Sequence, residues 1–119
     1  MTHAAGRHQS PEARECIRRC QQCHDACLES ILYCLETGGA HASASHIALL
    51  LDCAQACQAA TDSMLRGSAA HQALCAACAA VAPRCAESCE RLGDDQQMQA
   101  CARTCRRCAD ACGAVAAQG

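Results

Sequence analysis

The segment CIRRCQQCHDAC, Cys16 to Cys27, and its near-repeat CARTCRRCADAC, Cys101 to Cys112, decide how this 119-residue chain is read. Both have the form C-x3-C-x2-C-x3-C. Steps of four, three and four residues return to the same side of an α-helix, whereas a strand would scatter them over both faces. On a helical wheel at 100° per residue, Cys16, Cys20, Cys23, Cys27 and Cys34 fall within about 60° of arc. Cys101, Cys105, Cys108 and Cys112 occupy the same width, and Cys75, Cys78, Cys85 and Cys89 spread over about 80°. Cys53 and Cys57, one turn apart, complete the set of fifteen. Every stripe needs a partner to face.

Working outward, the punctuation predicts four helices. Ser10-Pro11-Glu12 reads as an N-cap, a proline in the first turn and an acid, and Gly38-Gly39 ends that helix. A second start lies at Ser43 or Ser45, with a stop at Arg66-Gly67. Ser68 is the expected cap of the third helix, which ends at Leu92-Gly93, and Asp94 with Gln97 forms a capping-box pattern for the fourth. The expected helices cover about 11–37, 45–66, 69–92 and 95–115. Pro83 falls inside the third and should kink it or loosen the preceding turn. Residues 1–9 read as a short tail and 10–119 as one domain. Short connections force neighbours to run antiparallel, so the expected fold is all-α, an up-down-up-down four-helix bundle with a cysteine-lined core.

Composition explains why the thiols matter to that core. The chain has no Phe or Trp, one Tyr, and 28 Ala, against 17 residues of Leu, Ile, Val and Met. Alanine buries little apolar area, so at about 25 cal/mol per Å² the apolar driving force is modest. Sulfur has to supply packing, bonds or ligands. Net charge is −2 with no lysine, and stacking aromatics are absent, which argues against nucleic acid. Arg18-Arg19 and Arg106-Arg107 read as solvated faces, as do Asp52 and Asp110. No run approaches membrane-spanning length. The N-terminal MTHAAGRHQSPEARE lacks an apolar signal-type segment, so a cytoplasmic location, where thiols stay reduced, is the expectation. No paired carboxylates, Ser/His/Asp set or phosphate-cradling glycine loop is present, and an enzyme is not expected.

Three uses of the thiols remain. Disulfides would leave an odd cysteine, and successive cysteines on one helix are poorly placed to bridge. Zinc favours closed tetrahedral sites built from C-x2-C knuckles, and the pairs Cys20/Cys23, Cys75/Cys78 and Cys105/Cys108 lie instead within helices. Thiolates also select Cu(I), which accepts two or three sulfurs. One thiolate per monovalent ion leaves a buried core near neutral, and bridging sulfurs would bring loading to roughly one Cu(I) per cysteine. Charge balance therefore favours multiple Cu(I) ions, with a zinc buffer or zinc-structured bundle and a disulfide-stapled interaction protein as alternatives.

The repeats at Cys16–Cys27 and Cys101–Cys112, with Cys53-x3-Cys57, Cys85-x3-Cys89 and the lack of aromatics, resemble the bacterial copper storage proteins over residues 10 to 115. The resemblance implies Cu(I) held inside a four-helix bundle by cysteines, storage or detoxification as the role, a homotetramer, a possible copper chaperone as partner, and the cytosolic branch of the family. This chain departs from the pattern in carrying only two cysteines on its second helix.

Copper must pass through one end of such a tube. Met64 and His71 fall within about 40° of the cysteine stripes at the end where helix 1 starts, with His8 near in sequence, and are the expected mouth ligands. Ile31, Leu32, Leu35, Ile47, Leu50 and Leu92 would plug the other end, where His46 and Met98 also lie on the stripes and could close a last site. His24 sits at the stripe edge beside Cys23. His3 and His41 have no assigned role.

Overall fold

The computed structural model describes residues 9–118. It contains α1 (Pro11–Thr37), a 3-10 turn (Gly39–Ala42), α2 (Ala44–Leu65), α3 (His71–Glu90) and α4 (Gln96–Ala116), with no strand among the described residues. The helices pack α1 on α2, α2 on α3, α3 on α4, and α4 back on α1. That closed square of antiparallel neighbours is a four-helix bundle of 53 × 22 × 20 Å. Residues 1–8 of the expected tail, including His3 and His8, lie outside the described residues.

Helix ends follow local chemistry. Ser10 caps α1 by accepting the Ala13 amide at 3.0 Å, with Pro11 in the first turn. Gly38 takes φ 77° and returns its N–H to the Cys34 carbonyl at 3.0 Å, a conformation that costs glycine nothing. Gly67, at φ 64°, turns the chain after α2 in the same way.

At the other boundaries the structure chooses Ser43 from the two starts expected for α2 and shifts the remaining ones. Ser43, in extended conformation, is the N-cap of α2, so that helix begins at Ala44 and closes at Leu65. Ser68 does not cap α3. Its hydroxyl accepts from Ala70 N at 3.1 Å and its carbonyl from His71 N at 3.2 Å, a local turn that delays the helix to His71. That helix ends at Glu90, two residues early, because Arg91 and Leu92 close a turn ahead of Gly93. The cap of α4 is Asp95, not Asp94: its Oδ1 accepts Met98 N at 2.9 Å. Gln97 Nε2 donates to Ser30 Oγ at 3.4 Å instead of completing a capping box. α3 continues through Pro83 as helix from His71 to Glu90.

The core is sulfur with a thin apolar lining. All fifteen cysteines are buried, none more than 2% exposed. Leu50, Met98 and Val115 are the large side chains fully enclosed with them. Charges stay outside: Arg18 and Arg19 pair with Glu15, and both nitrogens of the Arg106 fork meet Glu90, at 2.8 and 3.2 Å. Asp52 and Asp110 are exposed. The expected plug is only half present. Leu50 is buried and Ile31, Ile47 and Leu92 pack partly against the core, but Leu32 and Leu35 are 62% and 53% exposed. Their wheel positions lie well off the stripe, toward the outer face of the α1–α2 pair.

With so few bulky apolar groups inside, each one matters. Leu50→Ala should lower the stability of the metal-free protein by about 2–5 kcal/mol, read as a lower urea midpoint with unchanged slope.

Candidate metal site

The inward stripes bring the sulfurs into contact along the bundle. Near the start of α1, Cys16 Sγ lies 3.2 Å from Cys112 and 3.9 Å from Cys20, and Cys20 lies 3.4 Å from Cys112. Cys75 neighbours Cys16 and Cys112. Next comes Cys108, whose sulfur is 3.6–3.9 Å from those of Cys20, Cys57, Cys78 and Cys112. Cys23 then meets Cys53 at 3.5 Å and Cys105 at 3.6 Å, with Cys27 4.0 Å from Cys105. Cys101 follows, beside Cys27, Cys85 and Cys89. Two groups of four, Cys20/Cys78/Cys108/Cys112 and Cys23/Cys27/Cys53/Cys105, have all sulfurs within 4.8 Å, and Cys23/Cys57/Cys108 links them. The donors form a continuous ladder with shared rungs.

All fifteen are free thiols, so the disulfide-stapled alternative does not describe this structure. Their protons are shared along the ladder. Cys20 is held well below the ordinary thiol range because Cys108, Cys112 and Cys16 donate to it. Cys53 and Cys101 are lowered likewise, each first by Cys105. Their donors pay the opposite way: Cys27, Cys57 and Cys112 are pushed strongly upward by neighbouring sulfurs and by burial. Without a cation, ionising one sulfur therefore requires its neighbours to stay protonated.

The two ends differ. At the α1 start, Met64 is buried and borders a cavity of about 210 Å³ that it shares with Gln9, Ala13, Gly67, Ser68, Ala69 and His71. His71 Nδ1 lies 2.8 Å from the Ser68 carbonyl. A carbonyl only accepts, so Nδ1 is the donor in this bond. Met64 and His71 thus border one cavity at this end.

At the other end the structure assembles a mixed-donor cluster. Cys34 Sγ lies 3.4 Å from His46 Nε2 and 3.6 Å from Met98 Sδ, all three buried. His46 Nδ1 bonds Ser88 Oγ at 2.7 Å, which orients the ring. Burial keeps His46 neutral by lowering its pKa, and raises the Cys34 thiol to about 11. The sequence signal was the wheel position of His46 and Met98. Their meeting with Cys34 depends on the antiparallel register of three helices. His24 is not brought in. Its Nδ1 pairs with exposed Asp25 at 3.0 Å in an outer groove between α1 and α2, with Gln58, Thr61 and Asp62. His41, without an assigned role in the sequence, bonds Asp95 at 2.8 Å beside Tyr33.

A closed square of helices around a ladder of free thiols defines a thiolate metal-sequestering bundle. The copper storage protein family profile matches residues 8–117, and the chain belongs to that family. A structural-genomics protein of Nitrosospira multiformis is 39% identical, with 89% of this chain and 95% of that one covered and a TM-score of 0.84. The Cu(I)-bound copper storage protein of Bacillus subtilis is 33% identical over 89% and 99% of the two chains, TM-score 0.83. A cytosolic copper storage protein of Streptomyces lividans carrying five coppers is 28% identical over 91% and 94%, TM-score 0.83. No curated protein matches the chain. No helix among the described residues is long and apolar enough to cross a membrane.

Proposed function

We propose that this chain stores multiple Cu(I) ions inside its bundle, bound by Cys16, Cys20, Cys23, Cys27, Cys34, Cys53, Cys57, Cys75, Cys78, Cys85, Cys89, Cys101, Cys105, Cys108 and Cys112. The observation that carries this reading is the shared ladder: Cys108 alone touches four other sulfurs. Zinc would fit either group of four, but a Zn²⁺ with four private thiolates leaves a double negative charge in a dry core. Cu(I) takes fewer sulfurs and tolerates bridging, so each shared thiolate is neutralised by one cation. His46 and Met98 join Cys34 as neutral donors for a terminal ion, and Met64 and His71 pass copper inward from their cavity. Storage is the role that the copper storage family match and the ligand-type side chains of the site support. A cytoplasmic location fits the free thiols and the cytosolic Streptomyces relative. A copper chaperone as donor is part of the same reading.

Assembly into a homo-oligomer, a tetramer by family resemblance, is supported by exposed leucines. Leu28, Leu32 and Leu35 stand at i, i+4 and i+7 on α1, and Leu51 on α2 is level with Leu28 in the register set by the Cys23–Cys53 and Cys34–His46 contacts. The four keep 42–62% of their surface exposed, on one outer face.

Anaerobic titration of reduced protein should end at roughly fifteen Cu(I) per chain, unaffected by equimolar zinc, with a marked rise in melting temperature on loading. An endpoint near four, or displacement by zinc, would favour the zinc alternative. The Met64→Leu/His71→Ala pair should slow Cu(I) uptake about tenfold with capacity nearly unchanged, followed by stopped-flow absorbance. Leu28→Glu/Leu32→Glu should reduce the light-scattering mass toward the 12.4 kDa of one chain.

A further inference from the structure

One polar cluster has no part in holding copper. Asp95 carries three bonds on one carboxylate: Oδ1 accepts the Met98 amide at 2.9 Å, and Oδ2 accepts Tyr33 OH at 2.7 Å and meets His41 Nε2 at 2.8 Å. Capping α4 needs only the first. The side chains of His41 and Asp95 keep just 17% and 13% of their surface exposed, and the Tyr33 and His41 rings meet edge to face at 6.0 Å. The carboxylate thereby ties together the last turns of α1, the 3-10 turn and the start of α4. Each tied segment borders a member of the buried Cys34–His46–Met98 cluster. Tyr33 precedes Cys34, His41 lies in the turn that leads into α2 and His46, and Asp95 caps the amide of Met98 itself.

We propose that Asp95, with Tyr33 and His41, is a positioning latch that holds this end of the tube shut over Cys34, His46 and Met98, and that cargo leaves by this end only when the latch opens. The inference rests on the copper storage reading above. The wall elsewhere is helix against helix, and opening it would disrupt the bundle. Here Tyr33 from α1 and His41 from the 3-10 turn converge on the single Oδ2 of Asp95, so opening costs a few polar bonds and leaves every helix intact. Partial burial strengthens those bonds and keeps competing water out. The opposite end, where a cavity reaches Met64 and His71, is tied by Gln9 to the Met64 carbonyl, by Gln118 to Ser10 and Glu12, and by Gln72 to the Gln118 carbonyl, but among its described contacts no single carboxylate gathers three segments.

The test compares full-length protein with the Tyr33→Phe/His41→Gln variant, which breaks the latch and leaves the Asp95 cap. Both are loaded anaerobically and challenged with excess bathocuproine disulfonate, and release is followed by absorbance of the copper chelate. The variant should bind the same number of ions and release them about tenfold faster, the factor for about 1.4 kcal/mol, the worth of one or two such bonds. Ile17→Ala, which loosens the bundle from the opposite end, serves as the control. Release within about twofold of the parent, or equal acceleration by Ile17→Ala, overturns the latch. A metal-free readout separates its failure from that of the storage reading. Tyr33 is the only fluorophore, since the chain has one Tyr and no Trp or Phe. A tyrosine bonded to a carboxylate is quenched, so Asp95→Asn, which keeps a capping side chain, should raise its emission. Unchanged emission overturns the latch whether or not the protein takes up copper, and a parent that takes up no copper sinks the storage reading alone.

Discussion

Contact between sulfurs in a dry interior is the constraint on which everything else in this protein depends. Fifteen thiols occupy the space where a bundle of this size would place leucine and isoleucine. The consequence is a core that is sterically complete and electrostatically unfinished. Each sulfur can ionise only at the expense of its neighbours, as the opposed pKa shifts of Cys20 and Cys112 illustrate. A monovalent soft cation resolves that conflict, because it replaces a proton one for one and is held by the same atoms. Packing and binding are thus a single property of the same side chains.

The ends of the bundle acquire their meaning from this interior. The ladder of sulfurs ends at both, and other side chains stand beside its last rungs. Met64 and His71 border an open cavity. Cys34, His46 and Met98 are enclosed, with Ser88 fixing the imidazole and Asp95 joining the segments around them. An imidazole and a thioether are neutral, so a terminal ion sharing them needs only one thiolate for charge balance. The end geometry continues the electrostatics of the middle with fewer charges.

Much of this was legible in the spacing. Four helices with inward cysteine stripes follow from the three- and four-residue steps, since no other regular structure returns them to one side. The caps were less legible. Asp94 and Asp95 are adjacent acids before the same helix, and Ser68 is followed by a turn that could have been a helix start. Choosing between such neighbours depends on what else each side chain can bond: Asp95 is selected by Tyr33 and His41, sixty-two and fifty-four residues away. The exposed Leu32 and Leu35 were misplaced for a related reason. Hydrophobicity at one end suggests a plug, whereas their angular position sends them to the outer face.

The sequence by itself determined the helices, the inward sulfur and the soft-metal chemistry, because these are local periodicities and intrinsic ligand preferences. Only the tertiary structure decided which sulfurs touch, that Cys34, His46 and Met98 converge while His24 does not, and that one carboxylate joins three separate segments. Those outcomes depend on the register and rotation of helices against one another. Register is set by the packing of all four at once, and no stretch of chain carries that information alone.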